Sequence, residues 1–176
     1  MSRIPLADSA TLNDSQQAQY NRFPSNLTRA VLLLDDRLAG LLPESANALR
    51  ATDLDPAWRE AAILRVAALS YSAYERFQHL DQARAAGWSE QQISDIESGR
   101  FGRLDAEVAA LLTFVDACVA GTDTTDETFG SARAVLTDRQ LVNVIVLVGH
   151  YMTVARITGI LRIELDDAPD AWTHDH

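Results

Sequence analysis

Residues 60–79 read Glu60-Ala-Ala-Ile-Leu-Arg65-Val-Ala-Ala-Leu69-Ser70-Tyr71-Ser72-Ala-Tyr74-Glu75-Arg-Phe-Gln-His79. On a helix beginning near Ser72, positions 72, 75, 79, 83 and 86 share one side, by the i, i+3, i+4, i+7 rule. That side carries Ser72, Glu75 and His79, followed by Ala83 and Ala86, which leave room beside the polar groups. A second side carries Ala73, Phe77, Leu80 and Arg84, which can pack. In the preceding segment a 100° wheel sets Glu60 between Ile63, Leu64 and Ala67, so its carboxylate is flanked by apolar side chains. A desolvated carboxylate has its pKa pushed up toward a range useful for proton transfer, and histidine titrates near neutrality unaided. From pattern alone a surface role fits better, because Glu75 and His79 form an i, i+4 pair of the kind that usually decorates solvated helices.

Outward from this stretch, the chain punctuates itself into helices. Asp55-Pro56 is an N-cap followed by proline in the first turn and opens a helix to about Leu69. Ser70 to Ser72 read as a kink or tight turn, and the next helix runs to Ala86, stopped by Gly87. Ser89-x-x-Gln92 and Thr137-x-x-Gln140 are capping boxes. The first opens a short helix to about Ser98, closed by Gly99, and the second opens the longest helix, to about Ile163. Asp105 is read as the cap of an apolar helix to Ala120, and Asp126 to Val135 is helical. On the N-terminal side, residues 1–12 read as an extended arm with Pro5, and Asp14 to Arg22 as a short polar helix ended by Pro24. Ser25 caps a helix expected over Asn26 to Leu38. Gly40 and Pro43 are expected to break the chain before a further helical piece from Glu44 to Leu49. Nothing alternates with period two over a useful length, and hairpin dipeptides are missing. The expectation is an all-α, compact single domain of about seven or eight helices over residues 13–163. The acidic C-terminal tail, 164–176, is expected to be loose.

Composition narrows the function classes. The 176 residues are 47% hydrophobic, carry a net charge of −10 and have a mean hydropathy of −0.08. That is the profile of one soluble domain with chain enough for a core. An acidic surface argues against nucleic acid and against anionic membranes. The longest apolar run, Leu141 to Gly149, is too short to span a bilayer. No basic region followed by an apolar core opens the chain, so a cytoplasmic location is expected. The single cysteine, Cys118, rules out an internal disulfide or a Cys-x-x-Cys redox pair and reads as a small core residue. The histidines are His79, His150, His174 and His176, and no His-Glu-x-x-His spacing occurs, so no metal is expected. His150 shares a face with Asn143, Val146, Leu147 and Val154 and can line a pocket or sit satisfied in a core. Tyr71 and Tyr74 flank Ser72 and can line a pocket or pack. Helices 106–120 and 141–163 are apolar over most of their circumference, which suggests closure by another subunit.

Three stretches together resemble the carboxymuconolactone decarboxylase-like superfamily, which includes the alkylhydroperoxidase D-type proteins. They are Arg59-Glu60-Ala-Ala-Ile-Leu-Arg65-Val-Ala, Tyr74-Glu75-Arg-Phe-Gln-His79 and Ala85-Ala86-Gly87-Trp88-Ser89-Glu90-Gln91-Gln92-Ile93. Arg3-Ile-Pro5 and the run from Asp138 through Tyr151 to Arg156 extend the likeness over most of the chain. The resemblance implies an all-helical fold assembled as trimers or hexamers. In the peroxidase branch a glutamate, two cysteines and a histidine occupy the positions held here by Glu60, Ser72, Glu75 and His79. Serine and a carboxylate cannot carry thiol–disulfide exchange. The decarboxylase branch works without the cysteine pair and without metal or organic cofactor.

The expectation is therefore a cofactor-independent acid–base enzyme on a small carboxylated lactone or related carbonyl compound, with decarboxylation first. Isomerisation, dehydration and hydrolysis would use the same groups. Glu60, Glu75 and His79 are the candidate catalytic residues, and Tyr71, Ser72, Tyr74 and His150 the candidate substrate-binding residues. The expected partners are a small-molecule substrate and further copies of the chain. Two other readings compete: an alkylhydroperoxidase-like antioxidant protein using Cys118 alone, and a non-catalytic oligomeric protein that binds a small molecule.

Overall fold

The computed structural model describes residues 1–167. Among them the chain forms nine α-helices: α1 (Asp14–Arg22), α2 (Asn26–Val31), α3 (Asp36–Arg50), α4 (Pro56–Leu69), α5 (Ala73–Ala85), α6 (Glu90–Ser98), α7 (Ala106–Ala120), α8 (Asp126–Val135) and α9 (Asp138–Leu161). A 3-10 turn, Phe101–Arg103, joins α6 to α7.

α4 is the hub. Asp55 starts it by accepting from the backbone N–H groups of Ala57 and Trp58 at 2.8 and 3.2 Å. Every residue from Glu60 to Ala67 is buried, because α5, α6, α7 and α9 surround it. One core lies between α4, α7, α8 and α9, with Ile63, Val66, Leu111, Phe114 and Val144 at its centre. A second lies on the opposite side, where Ala61 and Leu64 meet Ile93, Ile96, Val108 and Leu112. Alanines 61, 62 and 67 are at most 2% exposed and let the neighbouring helices approach closely.

The turn between α4 and α5 sets the geometry of everything that follows. Tyr71 adopts a left-handed backbone, φ +52°. The N–H of Ser72 then donates to Ala67 O at 2.8 Å and that of Tyr71 to Ala68 O at 3.2 Å. This pair of bonds is a Schellman closure, usually built on glycine. Ser72 caps α5 at once, its hydroxyl accepting from the Glu75 N–H at 3.3 Å. The two helices therefore fold back on each other through three residues.

The caps read from sequence at Ser89, Thr137 and Gly99 are present, with both capping boxes complete and Gly99 left-handed. Other expectations need correction. The helix expected over 26–38 stops at Val31, and α3 runs unbroken from Asp36 to Arg50 through Gly40 and Pro43. Pro43 removes one amide donor, but α3 is pinned against α1 and α9, with Ala39 and Leu49 buried, and packing overrides the local penalty. Asp105 precedes α7 without making a side-chain cap bond. The tail is not loose where it begins. Asp166 accepts from the Asn26 N–H at 2.7 Å and from Gln78 Nε2 at 3.0 Å, and the Tyr74 hydroxyl donates to it as well. His174 and His176 lie outside the described residues.

α9 is buried along Val144, Leu147, Val148 and Tyr151, while Val142, Ile145, Val146 and Ile160 are 49–60% exposed. Taken whole, it is the one helix among the described residues long and apolar enough to cross a membrane, which the shorter run from Leu141 to Gly149 did not suggest. Its inner face forms part of the protein core, as in the central helix of a globular protein.

Candidate functional site

The α4–α5 turn brings Glu60 and His79, nineteen residues apart, to 2.8 Å between Glu60 Oε2 and His79 Nδ1. Both side chains are buried, with 2% and 5% exposure. The other oxygen, Oε1, accepts from Arg59 Nε at 3.1 Å. Burial pushes the Glu60 carboxyl up, but the hydrogen bond and charge of His79, followed by Arg59, outweigh it and hold the group below the ordinary carboxylate range. Glu60 is thus an ionised acceptor that orients the imidazole through Nδ1 and leaves Nε2 for chemistry.

Glu75 lies one turn before His79 and is its electrostatic opposite. It is 2% exposed, and its Oε1 has no hydrogen-bond partner. Burial alone pushes its carboxyl well above the ordinary range, which favours the neutral carboxylic acid. One helix turn therefore holds an oriented imidazole and a carboxyl group kept as an acid.

Both groups line a cavity of about 80 Å³. His150 and Tyr151 of α9 complete its polar end, and the Tyr151 ring meets His79 and His150 edge-on, each at 5.0 Å between centroids. Burial, then the charges of His79 and Arg50, lower His150 to about 4, so it is an uncharged imidazole at neutral pH. Burial, then the charge of Glu75, raises the Tyr151 phenol. The facing wall is apolar and comes from the N-terminal helices: Phe23, Leu27, Val31, Leu42, Pro43 and Ala46. Ser25, Thr28, Tyr74 and Gln78 lie along its remaining side. Ser25 and Thr28 are engaged in capping α2, and Tyr74 is held by Asp166 and by the Leu27 N–H at 3.3 Å.

The structure brings together Glu75, His79, Tyr74 and His150 on the cavity and places Glu60 directly behind His79. It separates the other two expected binding residues. Tyr71 is 95% exposed because its left-handed backbone turns the side chain outward, and Ser72 serves as the cap of α5 without reaching the cavity. Asn143 is also elsewhere, donating to Asp53 Oδ1 at 3.3 Å, since one heptad separates it from His150 by about 10 Å along the axis. Sequence reasoning missed Tyr151, Phe23, Leu42 and Asp166. Tyr151 neighbours His150 and could have been found there; the others carry no local signal. Cys118 packs against the core cluster, away from the cavity, with its thiol pushed up by burial.

Among the described residues no group of three histidine, cysteine or acidic side chains is arranged to hold a metal ion. All fifteen basic residues of the chain are arginine, so no lysine is present to form an imine with a carbonyl substrate.

No family model matches the sequence, and no curated protein matches it. Similar solved structures include the following two. One, from Agrobacterium tumefaciens, is a protein of unknown function and candidate antioxidant defence protein AhpD; it is 26% identical with a TM-score of 0.67, over 72% of this chain and 89% of that one. The other, an uncharacterized peroxidase-related protein from Silicibacter sp. TM1040, is 17% identical with a TM-score of 0.77, over 99% of this chain and 93% of that one. The second likeness concerns the fold alone.

Proposed function

We propose that this chain, a member of the carboxymuconolactone decarboxylase and alkylhydroperoxidase D-like superfamily by its helical fold and its likeness to the Agrobacterium protein, is a cofactor-independent acid–base enzyme. Its substrate is a small carbonyl compound, and decarboxylation of a carboxylated lactone or β-keto acid is the first reaction to test. The observation that carries this reading is the pairing of opposites in one cavity: an imidazole oriented by an ionised Glu60, and a buried Glu75 with an uncommitted oxygen.

The chemistry follows from those states. Glu75 as a carboxylic acid donates to the substrate's carbonyl oxygen. When the bond to carbon dioxide breaks, the electron pair moves onto that oxygen and the enol forms as Glu75 gives up its proton. His79, in its protonated form, delivers a proton from Nε2 to the carbon as the enol returns its own proton to Glu75. Glu60 keeps Nδ1–H pointed at itself and stabilises the imidazolium, as an orienting carboxylate does. Isomerisation uses the same two sites with a proton removed in place of carbon dioxide.

Thiol peroxidase chemistry has no support in the cavity, since the positions of the redox pair hold Ser72 and Glu75 and Cys118 packs elsewhere. The exposed apolar stripe of α9, with Gly149 open at its middle, is the face proposed for self-association. The test is a panel of β-keto acids and lactones in deuterated water. Carbon dioxide release or deuterium entering the product carbon, lost in His79→Ala and Glu75→Gln, supports the reading. Turnover unchanged in both variants sinks it, and ligand binding without turnover leaves a binding protein.

A further inference from the structure

The cavity is polar at one end only. Glu75 and His79 of α5 meet His150 and Tyr151 of α9 there. The charges behind them belong to the same end: Glu60 lies 2.8 Å from His79, Arg59 donates to Glu60 at 3.1 Å, and Arg50 is within electrostatic reach of Glu60 and Tyr151. Away from that end the space is bounded by Phe23, Leu27, Val31, Leu42 and Ala46, whose side chains are hydrocarbon alone. The polar groups along the remaining side have partners elsewhere. Ser25 and Thr28 bond each other at 3.1 Å in the cap of α2, and the Tyr74 hydroxyl and Gln78 Nε2 both donate to Asp166. A ligand with polar groups at both ends therefore leaves one of them desolvated against hydrocarbon, a cost that no new bond offsets. Size is bounded as well. The cavity of about 80 Å³ has room, at about 10–15 Å³ for each water-sized group, for roughly five to eight heavy atoms.

Resting on the acid–base reading of this cavity, we propose that its substrate is a one-headed, amphipathic β-keto acid. The carboxyl and ketone groups sit side by side at the Glu75–His79 end, and a short hydrocarbon tail lies against Phe23, Val31 and Leu42. A lactone with polar groups spread around its ring would strand one of them on the apolar wall. The bond from the central carbon to the carboxylate breaks, and carbon dioxide leaves. Its electron pair forms the enol and then the new C–H bond, with the proton delivered by His79 and restored to it from water. The product is a methyl ketone that keeps the same tail.

The test takes the methyl ketones that this reaction yields, 2-butanone, 2-pentanone, 2-hexanone and 2-nonanone, with 2,5-hexanedione as the two-headed match for 2-hexanone. Binding is measured by ligand-observed NMR on the full chain at pH 7, and deuterium entry into the ketone methyl group is followed in deuterated water. Affinity rises about fourfold per methylene through 2-hexanone and levels off by 2-nonanone, which outgrows the space. The dione binds at least tenfold more weakly than 2-hexanone. Leu42→Asn narrows that preference at least threefold; Phe23→Asn takes its place if that variant does not fold. An affinity flat along the series, a dione bound as tightly as 2-hexanone, or a preference that neither variant moves overturns the one-headed ligand. Deuterium entry that the wild type catalyses and His79→Ala loses keeps the acid–base reading standing in that case. Graded binding without such exchange overturns that reading and the β-keto acid with it, leaving a site for an apolar-tailed carbonyl compound. No binding by any ketone overturns both.

Discussion

Replacing Glu75 by glutamine isolates the buried acid. The side chain is 2% exposed, and its only perturbation is burial, which raises the carboxyl well above its ordinary value of 4.5. The folded chain therefore keeps a proton that the unfolded chain releases above about pH 4.5. Stability from this group is fully present below that pH and is lost as the pH rises toward the folded pKa. One proton corresponds to about 1.4 kcal/mol per pH unit. Glutamine does not titrate, so its offset is constant. Urea unfolding of both proteins at pH 5, 6 and 7 should then show wild type losing stability relative to Glu75→Gln as the pH rises toward the folded pKa, with about 1.4 kcal/mol per unit as the ceiling set by one proton. Against a typical stability of about 5–15 kcal/mol, that difference is easily measured. A wild-type-minus-variant difference that stays flat from pH 5 to 7 would refute the reasoning, because Glu75 would then be ionised in the folded protein.

Other expectations follow from the same contacts. Glu60→Gln removes the anion that orients His79, and with a substrate in hand it should lower turnover by about 10²-fold or more, with smaller changes in KM, measured by steady-state kinetics. Tyr71→Gly relieves a left-handed residue whose side chain is in water; it should leave turnover unchanged and hold or raise thermal stability by up to about 1 kcal/mol, and a loss of activity would restore Tyr71 to the site. Asp166→Ala strands Tyr74, Gln78 and the first turn of α2, and should cost about 1–3 kcal/mol in chemical denaturation, with the Tyr74 phenol titrating at lower pH by ultraviolet absorbance. Val146→Asp places a charge in the exposed stripe of α9 and should shift the sedimentation profile toward smaller species; an unchanged profile would move the self-association face elsewhere.

How much of this was legible in the chain itself depends on range. Asp55-Pro56, the boxes at Ser89 and Thr137, and Gly99 act within a turn of the backbone, so their residue types suffice to place helix ends. The spacing of Glu75 and His79 puts them one turn apart on any helix, and the apolar flanks of Glu60 announce its burial. Where the local code failed, a distant contact had taken over. Pro43 reads as a break, and is one in isolation, but packing against α9 and α1 keeps α3 helical across it. Ser72 shares a wheel face with Glu75, yet it sits on the cap, where the wheel does not apply.

The helical class, the main boundaries, and the choice of Glu60, Glu75 and His79 were determined by sequence, because propensity, capping and 3.6-residue periodicity are properties of neighbours. Tertiary structure decided that the Glu60 carboxylate meets Nδ1 at 2.8 Å, that Glu75 is left without a partner, and that Phe23, Leu42 and Asp166 close the space around them. Those facts depend on how helices pack across tens of residues. A carboxyl group becomes a base's anchor or a buried acid according to the dielectric and the partners that packing supplies.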